Sequence, residues 1–386
     1  MKYCIVAVGY NRAESMRRLI DSVLRADYGT ETVDLIISID KSDNQDEVIK
    51  KIGNVDWKHG KFMVNRQEER LGLRKHILKC GNLTESYDAL IMFEDDIVVS
   101  PCFFNYVKQT VDHYKDDEKI AGISLYKHET HPGVYRPFIP ADNGYDVFLM
   151  QFAQSWGQCW TAGMWKSFKD WYAHNENAIL GRDSKLPSYI ANWNNNSWLK
   201  YFMRYIVESN KYFVYPYTSL STNASESGEH NTVSNNNFQV PLLFGNRQYR
   251  FPTFDQAVRY DVYFEREDIL DQIFPRYEGV KILDLYGDKK DFSQADYLIS
   301  TQTLTYRKRY SFQIKYRPHE INCMIPEKGY DAFVYDLKQT GKRTKKQSTN
   351  SVRYDVRALS WKKLLRLGVH DFRTAITSRI KHIFKK

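Results

Sequence analysis

The chain lacks both glycine signatures that cradle phosphates. Neither GxGxxG nor GxxxxGK followed by Ser or Thr occurs in its 386 residues, which argues against dinucleotide-binding and ATPase readings. No apolar run approaches the length of a membrane span, so no membrane-crossing helix is expected. Cysteine is sparse. Cys4, Cys80, Cys102, Cys159 and Cys323 are odd in number, scattered and without metal-ligand spacing. That excludes a disulfide framework and a zinc module, and it fits a reducing compartment. No signal peptide is read at the start, because Met1-Lys2-Tyr3 leads straight into a strand pattern. The expectation is a cytoplasmic protein.

Acid is scarce at one end only. Residues 338–386 carry 15 Lys and Arg against 2 Asp and Glu, whereas the rest carries 41 against 45. The net charge of +9 therefore belongs to a tail. Rings are abundant: 28 Tyr, 21 Phe and 8 Trp in a chain that is 42% hydrophobic. They supply a large core, and aromatic-rich clefts suit the C–H faces of sugars.

Strand and helix patterns alternate from the start. Tyr3–Val8 is an apolar run, and Ala13–Leu24 places Met16, Leu19, Ile20, Val23 and Leu24 on one helical side. Val33–Ile39 and Lys61–Val64 read as strands, Asp46–Ile52 and Leu71–Cys80 as helices, and Asp88–Phe93 as a further strand. This alternation predicts an α/β fold with a mainly parallel sheet flanked by helices.

In such a sheet ligands gather at the carboxyl ends of the strands. Those ends carry Gly9-Tyr10-Asn11-Arg12, Asp40-Lys41-Ser42-Asp43 and Glu94-Asp95-Asp96, and the turn Arg70–Lys75 adds Arg70 and Arg74. Carboxylates accept from a base or ribose and cations hold phosphates, so the set describes a nucleotide-diphosphate site. Taken singly, Asp40 is equally a helix or turn cap, and the basic residues are equally a solvated face.

The acid triplet is the centre of this reading. Leu90–Phe93 is apolar, three acids follow, and Ile97-Val98-Val99 resumes the apolar pattern before Ser100-Pro101. Adjacent carboxylates at the exit of a buried strand repel one another and are costly to desolvate. A hard divalent cation, Mn2+ or Mg2+, offsets that repulsion and is commonly shared with substrate phosphates.

These stretches resemble a family. VAVGYNRAESMRRLIDSVL and LIISIDKSDN are similar to the first and second strands of bacterial family 2-like glycosyltransferases with the GT-A fold. FEDDIVVSPCFFNYV is similar to the acidic metal motif of the inverting N-acetylglucosaminyltransferase that acts on mannose of glycoprotein cores. The resemblance implies Asp96 as the direct metal ligand, with Glu94 and Asp95 beside the ribose and donor sugar, and Asp40 at the base. Ser155-Trp156-Gly157-Gln158-Cys159-Trp160-Thr161-Ala162-Gly163-Met164-Trp165 resembles the family's WGWATW-type segment, implying Trp156 and Trp160 as stacking platforms in the donor pocket. Core packing is the competing reading for both. Trp165, Phe168, Trp171 and Tyr172 have helical spacing and read as core.

Ser219–Asn231 resembles the family loop that closes over the donor, implying His230 as a metal or diphosphate contact. One departure concerns the base. The related enzymes carry an Asp just before the Trp near position 198, where this chain has Asn195, Asn196 and Ser197. None is a usable base at neutral pH. Asp183 is the first replacement, with Glu226 and Glu229 as downstream alternatives.

The resemblance covers about residues 1–240, and the expected division is a GT-A domain 1–244, an accessory α/β domain 245–337, and a basic linker with amphipathic helix 338–386. In the last part Trp361, Leu365, Val369, Phe372, Ile376, Ile380 and Ile383 form an apolar stripe, with Lys362, Lys363, Arg366, Arg373 and Lys381 on other faces. A basic amphipathic helix suits an anionic membrane surface. Nucleic acid is not expected, since no recognised binding motif accompanies the charge.

The expected activity is inverting, metal-dependent transfer of a hexosyl or N-acetylhexosaminyl group from a nucleotide-sugar, UDP-sugar favoured, to a glycan or lipid-linked glycan hydroxyl. The setting expected is bacterial surface polysaccharide synthesis at the inner face of the cell membrane. The alternatives are a sugar-phosphate nucleotidyltransferase, which lacks support because Val8-Gly9-Tyr10-Asn11-Arg12 has one glycine, and a non-catalytic scaffold that binds glycans or nucleotide-sugars.

Overall fold

The computed structural model describes residues 1–181, 185–224, 236–274, 277–341 and 350–383. Its first quarter is the predicted alternation: β1 (Tyr3–Gly9), α1 (Ala13–Leu24), β2 (Val33–Ile39), α2 (Gln45–Ile52), β3 (Phe62–Arg66), α3 (Gly72–Gly81) and β4 (Ala89–Glu94). Every residue of β1 and β2 is buried, as expected for strands covered on both faces. Met16, Leu19, Ile20 and Val23 of α1 are buried on one side, which fixes the helix against the sheet.

The elements that follow are β5 (Ile97–Val99), α4 (Phe103–Tyr114), β6 (Ile120–Ser124), β7 (Val147–Met150), β8 (Gln158–Thr161), α5 (Ala162–Asn175), α6 (Ser188–Ala191), α7 (Trp198–Glu208), β9 (Tyr212–Pro216), β10 (Ser221–Asn223) and β11 (Arg259–Tyr260). The large sheet has the order β11-β7-β9-β6-β8-β4-β1-β2-β3. It is mostly parallel, with β8 antiparallel between β4 and β6, and β7 antiparallel to β9. β5 and β10 form a small antiparallel ribbon pairing Ile97 with Asn223.

The chain after β10 stays with this sheet for some distance. Gly245 N–H donates to Cys102 Sγ, Gln109 bonds the Arg247 carbonyl and the Tyr249 N–H, and Tyr114 donates to the Pro252 carbonyl. Tyr249, Ala257, Val258, Tyr260, Val262 and Phe264 join the core of the large sheet. A second sheet then has its own core, with the order β12 (Lys281–Asp284), β13 (Tyr297–Ser300), β15 (Ala332–Thr340), β14 (Tyr306–Phe312). Lys338 lies within β15 and pairs with Asp296.

The tail is held at its root. On the short helix Asn350–Asp355, the Asp355 carboxylate accepts from Arg136 at 3.0 Å and forms an ion pair with Arg317, joining the loop after β6 to the second sheet's unit. The C-terminal helix spans Trp361–Ile383. Trp361, Leu365 and Phe372 remain 67%, 61% and 68% exposed, so this part of its apolar stripe is left largely bare. Among the described residues, no helix is long and apolar enough to cross a membrane.

Candidate functional site

The parallel register aligns β1 with β4, pairing Val8 with Glu94, and β1 with β2, pairing Gly9 with Ile39. Three strand ends therefore share one edge. Gly9 permits close approach there: a Cβ at that position would run into Met16 and lie 3.6 Å from the Asp95 Cβ.

Arg12, at the start of α1, answers the triplet's charge. Its guanidinium bonds Asp95 and stands 3.4 Å from Asp96 Oδ2. Burial opposes the Arg12 charge, but Asp95 and Asp96 outweigh it and raise the pKa. Glu94 is affected differently. Burial, then Asp96 and Asp95, push its carboxyl up to about 8 against the pull of Arg12. Asp96 keeps one acceptor free: its Oδ1 is sealed from solvent and takes no hydrogen bond. Among the described residues no three His, Cys, Asp or Glu side chains converge as a cation cage. A cation here would have Asp96 Oδ1 as the available protein acceptor, since Asp95 already holds Arg12.

Asp40 is buried and serves the backbone. Oδ1 accepts from the Lys41 and Leu71 N–H groups and Oδ2 from the Gly72 N–H, each at 2.9 Å. It thus caps α3 from another strand end, satisfying orphan donors of the first turn. Gly72, at φ +73°, makes the turn that brings those donors round.

The remaining expected residues separate into two groups. Tyr10 is half-buried and lies under Arg70, whose guanidinium carbon is 4.9 Å from its ring; Asn11 is exposed beside them. These face the shared edge. Arg74 turns the other way. It donates to the Asn195 carbonyl at 2.9 Å and the Glu176 carbonyl at 3.3 Å, and stacks on Tyr201. It clasps α3 to the chain before α7 and is not free for a phosphate. Trp156 lies two residues before Gln158, the last residue of β8 to pair with β4, opposite Met92. Its ring is partly exposed and packs against Tyr126 and Phe238.

Trp160, expected at the donor pocket, is instead sealed in the core among Trp165, Trp198 and Phe202. Its side chain shares a face with Gln158 and falls under α5 and α7, where volume rather than ligand contact selects a large ring. Asn195 is likewise committed: its Oδ1 accepts from buried Lys200 at 2.9 Å. Asp183, Glu226 and His230, together with Glu229, lie outside the described residues. A separate hollow of about 530 Å3 sits at the opposite, amino end of β1, lined by Lys2, Asp34, Lys61 and Asp88, and is remote from the acids.

Residues 4–169 match the family model for glycosyl transferase family 2. The matched stretch runs from β1 into α5 and is family 2-like in sequence. Its mostly parallel sheet between helices is the GT-A-type arrangement of that family. No curated protein sequence matches the chain. Among solved structures, S. aureus TarS residues 1–349 in complex with UDP-GlcNAc aligns at 12% identity over 60% of each chain, with a TM-score of 0.39. The same fragment with UDP aligns at 12% over 57% of this chain and 60% of that one, at 0.37. The mannosyltransferase PcManGT from Pyrobaculum calidifontis, in complex with GDP-Man and Mn2+, aligns at 10% over 41% and 44%, at 0.29. The chain thus spans about three fifths of the length of the first structures it matches, and likeness this loose transfers no residue's role.

Sequence reasoning did not foresee the Arg12 bridge or the Arg74 clasp. Arg12 had a local signal, a cation at a strand end three residues past Gly9. Arg74 had none, because its partners lie more than a hundred positions away.

Proposed function

We propose that the chain is an inverting glycosyltransferase assisted by a divalent cation, moving a sugar from a UDP-sugar to a hydroxyl of a glycan or lipid-linked glycan. The observation that carries this reading is the sealed, unpartnered Oδ1 of Asp96 at the edge where β1, β2 and β4 end. A buried carboxylate oxygen without a partner is expensive unless something occupies it. Asp96 would hold Mn2+ or Mg2+, which supplies Lewis-acid stabilisation of a diphosphate leaving group.

The chain's own residues frame the donor. Tyr10, Asn11 and Arg70 line the nucleotide edge, Asp40 shapes it by holding the Arg70–Gly72 turn, and Glu94 and Asp95 lie by the ribose and sugar. Arg12 keeps Asp95 oriented, and Trp156 offers a ring face. The acceptor oxygen attacks the anomeric carbon opposite the departing diphosphate while a carboxylate removes its proton. Asp183 is proposed as that base, with Glu226 as the alternative and His230 as a further metal contact, from sequence position.

The same proposal includes a peripheral cytoplasmic setting, whereas the unit boundaries fall later than 244 and 337, since Phe264 still joins the first core and β15 runs to Thr340. The bare stripe of the C-terminal helix, flanked by Lys362, Lys363, Arg366 and Arg373, supports docking on the anionic inner face of a bacterial membrane during surface polysaccharide synthesis. A non-catalytic donor-binding reading draws on Asn195 and Asn196, which replace a carboxylate.

Donor turnover separates the two. Purified chain with Mn2+ or Mg2+ is expected to hydrolyse UDP-GlcNAc, UDP-glucose or GDP-mannose slowly, and Asp96→Asn to abolish the cation-dependent part without lowering the melting temperature. Donor binding without turnover selects the scaffold reading. Neither binding nor turnover with any of the three overturns both.

A further inference from the structure

The second sheet's unit carries an apolar tip that its own core leaves out. On the chain between β14 and β15, Met324, Ile325 and Pro326 are exposed, Ile325 at 63%, with Tyr316 before them and Tyr330 after them also exposed. Cys323, next to the tip, points inward and joins the core of this unit. The tip cannot follow it, because buried Asn322 pins the loop. Its Oδ1 accepts from the Lys315 and Tyr316 N–H groups at 2.7 and 2.8 Å, and its Nδ2 donates to the Tyr316 and His319 carbonyls at 3.0 and 2.8 Å. Every hydrogen-bonding position of that amide is in use.

The chain leaving the tip is tied as well. Gln313 donates its N–H to the Glu327 carbonyl at 2.9 Å and its side-chain amide to the Lys328 carbonyl at 3.1 Å, and Asp331 N–H donates to the Phe312 carbonyl at 2.9 Å. Tyr316 Oη donates to the Glu327 carboxylate at 2.6 Å, and Lys315 pairs with the same group. Glu327 directly follows Pro326, so these contacts set Lys315 and Tyr316 beside the tip.

Charge in this segment is sorted by depth. From Tyr306 to Gly341 the acids are Glu320, Glu327, Asp331 and Asp336, and all but Glu327 are buried. Arg307, Arg309, Lys315, Lys328 and Lys338 are exposed. An aliphatic and aromatic tip rimmed by cations matches the boundary layer of an anionic bilayer, where tyrosine rings and basic side chains sit at headgroup depth. A polyanionic polymer would engage the cations but leave Met324 and Ile325 unused. The tail favours the same partner. Asp355 pins its root to Arg317, the residue after Tyr316, and the Tyr354 ring lies 5.1 Å from the Arg317 guanidinium. The amphipathic helix therefore leaves the fold beside the segment that carries the tip.

We propose that the Met324–Pro326 tip, with Lys315, Lys328 and Tyr330 around it, is a second membrane contact that seats its apolar side chains at the headgroup boundary of an anionic bilayer and fixes how the chain is oriented there. The choice of a bilayer rests on the membrane setting proposed above. Two contacts on one chain act as linked binding modules, so the tip strengthens binding by the tail without holding the chain on vesicles alone.

The probe is vesicles of phosphatidylcholine and phosphatidylglycerol titrated against the full chain. Met324→Ser combined with Ile325→Ser is expected to weaken binding about tenfold, as for returning part of two apolar side chains to water. Lys328→Gln is expected to weaken it about fivefold, the factor for one cation near an anionic surface. Melting temperatures should be unchanged. The five cysteines are buried, so Ile325→Cys accepts a polarity-sensitive dye selectively. Its emission is expected to shift to the blue on adding vesicles, while a dye on Ile179→Cys, exposed in the first unit, stays unchanged. Unchanged vesicle affinity of the double variant, or an unmoved dye at 325, overturns the proposal. Lost dextran sulfate binding in Lys328→Gln, with the double variant binding vesicles as the natural chain does, assigns the cations to an anionic polymer and overturns it too. If the double variant does not fold, Lys328→Gln and the dye decide. If the chain truncated after Arg357 sediments undiminished, the tail reading fails, and the same substitutions in that truncated chain still decide the tip.

Discussion

Arg12 stands between two members of the acid triplet, its guanidinium bonded to Asp95 and 3.4 Å from Asp96 Oδ2. One cation supplied by the chain therefore offsets part of a repulsion that three carboxylates create. Arg12→Ala leaves the Asp95 side chain, 6% exposed, without that partner. The expected loss is about 1.5–3 kcal/mol, the range for a hydrogen bond to a charged group. Urea unfolding measures it, and Mn2+ or Mg2+ should restore part of the loss if the cation relieves the same repulsion. Equal stability of the variant and the natural chain would show that the bridge does no net work.

Asp40 stabilises α3 without belonging to it. Its carboxylate accepts the Leu71 and Gly72 N–H groups. Asp40→Ala should cost about 1–2 kcal/mol, as for loss of a helix cap, and Asp40→Asn less, because an amide oxygen still accepts. Chemical denaturation of both variants checks the order. Asn costing as much as Ala would contradict the capping role.

Asp284 makes stability depend on pH. Burial pushes its carboxyl up to about 6 from an ordinary 3.8, against bonds from Ser300, Lys289 and Gln302. Between those values the folded chain holds a proton that the unfolded chain has released. Stability contributed by this group therefore falls as pH rises through that window and stays reduced above it. Asp284→Asn removes the slope. Melting temperatures at both ends of the window, in both proteins, test it; parallel curves would rule out this assignment.

The tail separates anchoring from stability. Truncation after Arg357 keeps Asp355 with Arg136 and Arg317 and removes the exposed stripe. It should abolish sedimentation with phosphatidylglycerol vesicles and leave the melting temperature unchanged. Asp355→Ala should do the reverse. It leaves two nearly buried arginines unpaired, at about 3 kcal/mol or more, while the stripe still binds vesicles. Undiminished sedimentation of the truncated chain would sink the anchoring role.

By itself the sequence determined the α/β alternation and where its strands end. The spacing of Met16, Leu19, Ile20 and Val23 and the unbroken runs in β1 and β2 are local signals, and α1 and β2 begin and end where the pattern places them. The triplet was legible for the same reason, because acids abutting Phe93 contrast with the apolar run before them. Only the tertiary structure decided what each side chain near that edge is occupied with. Arg12 on Asp95, Asp40 on the Leu71 and Gly72 amides, Arg74 on the Asn195 carbonyl and Trp160 in the core are contacts between residues 31 to 121 positions apart or packing across layers. No periodicity records such pairs, because they depend on sheet order and crossover placement. Tyr286 is the furthest case: it donates to the Pro137 carbonyl, 149 positions away, only because the second sheet's unit packs against the loop after β6.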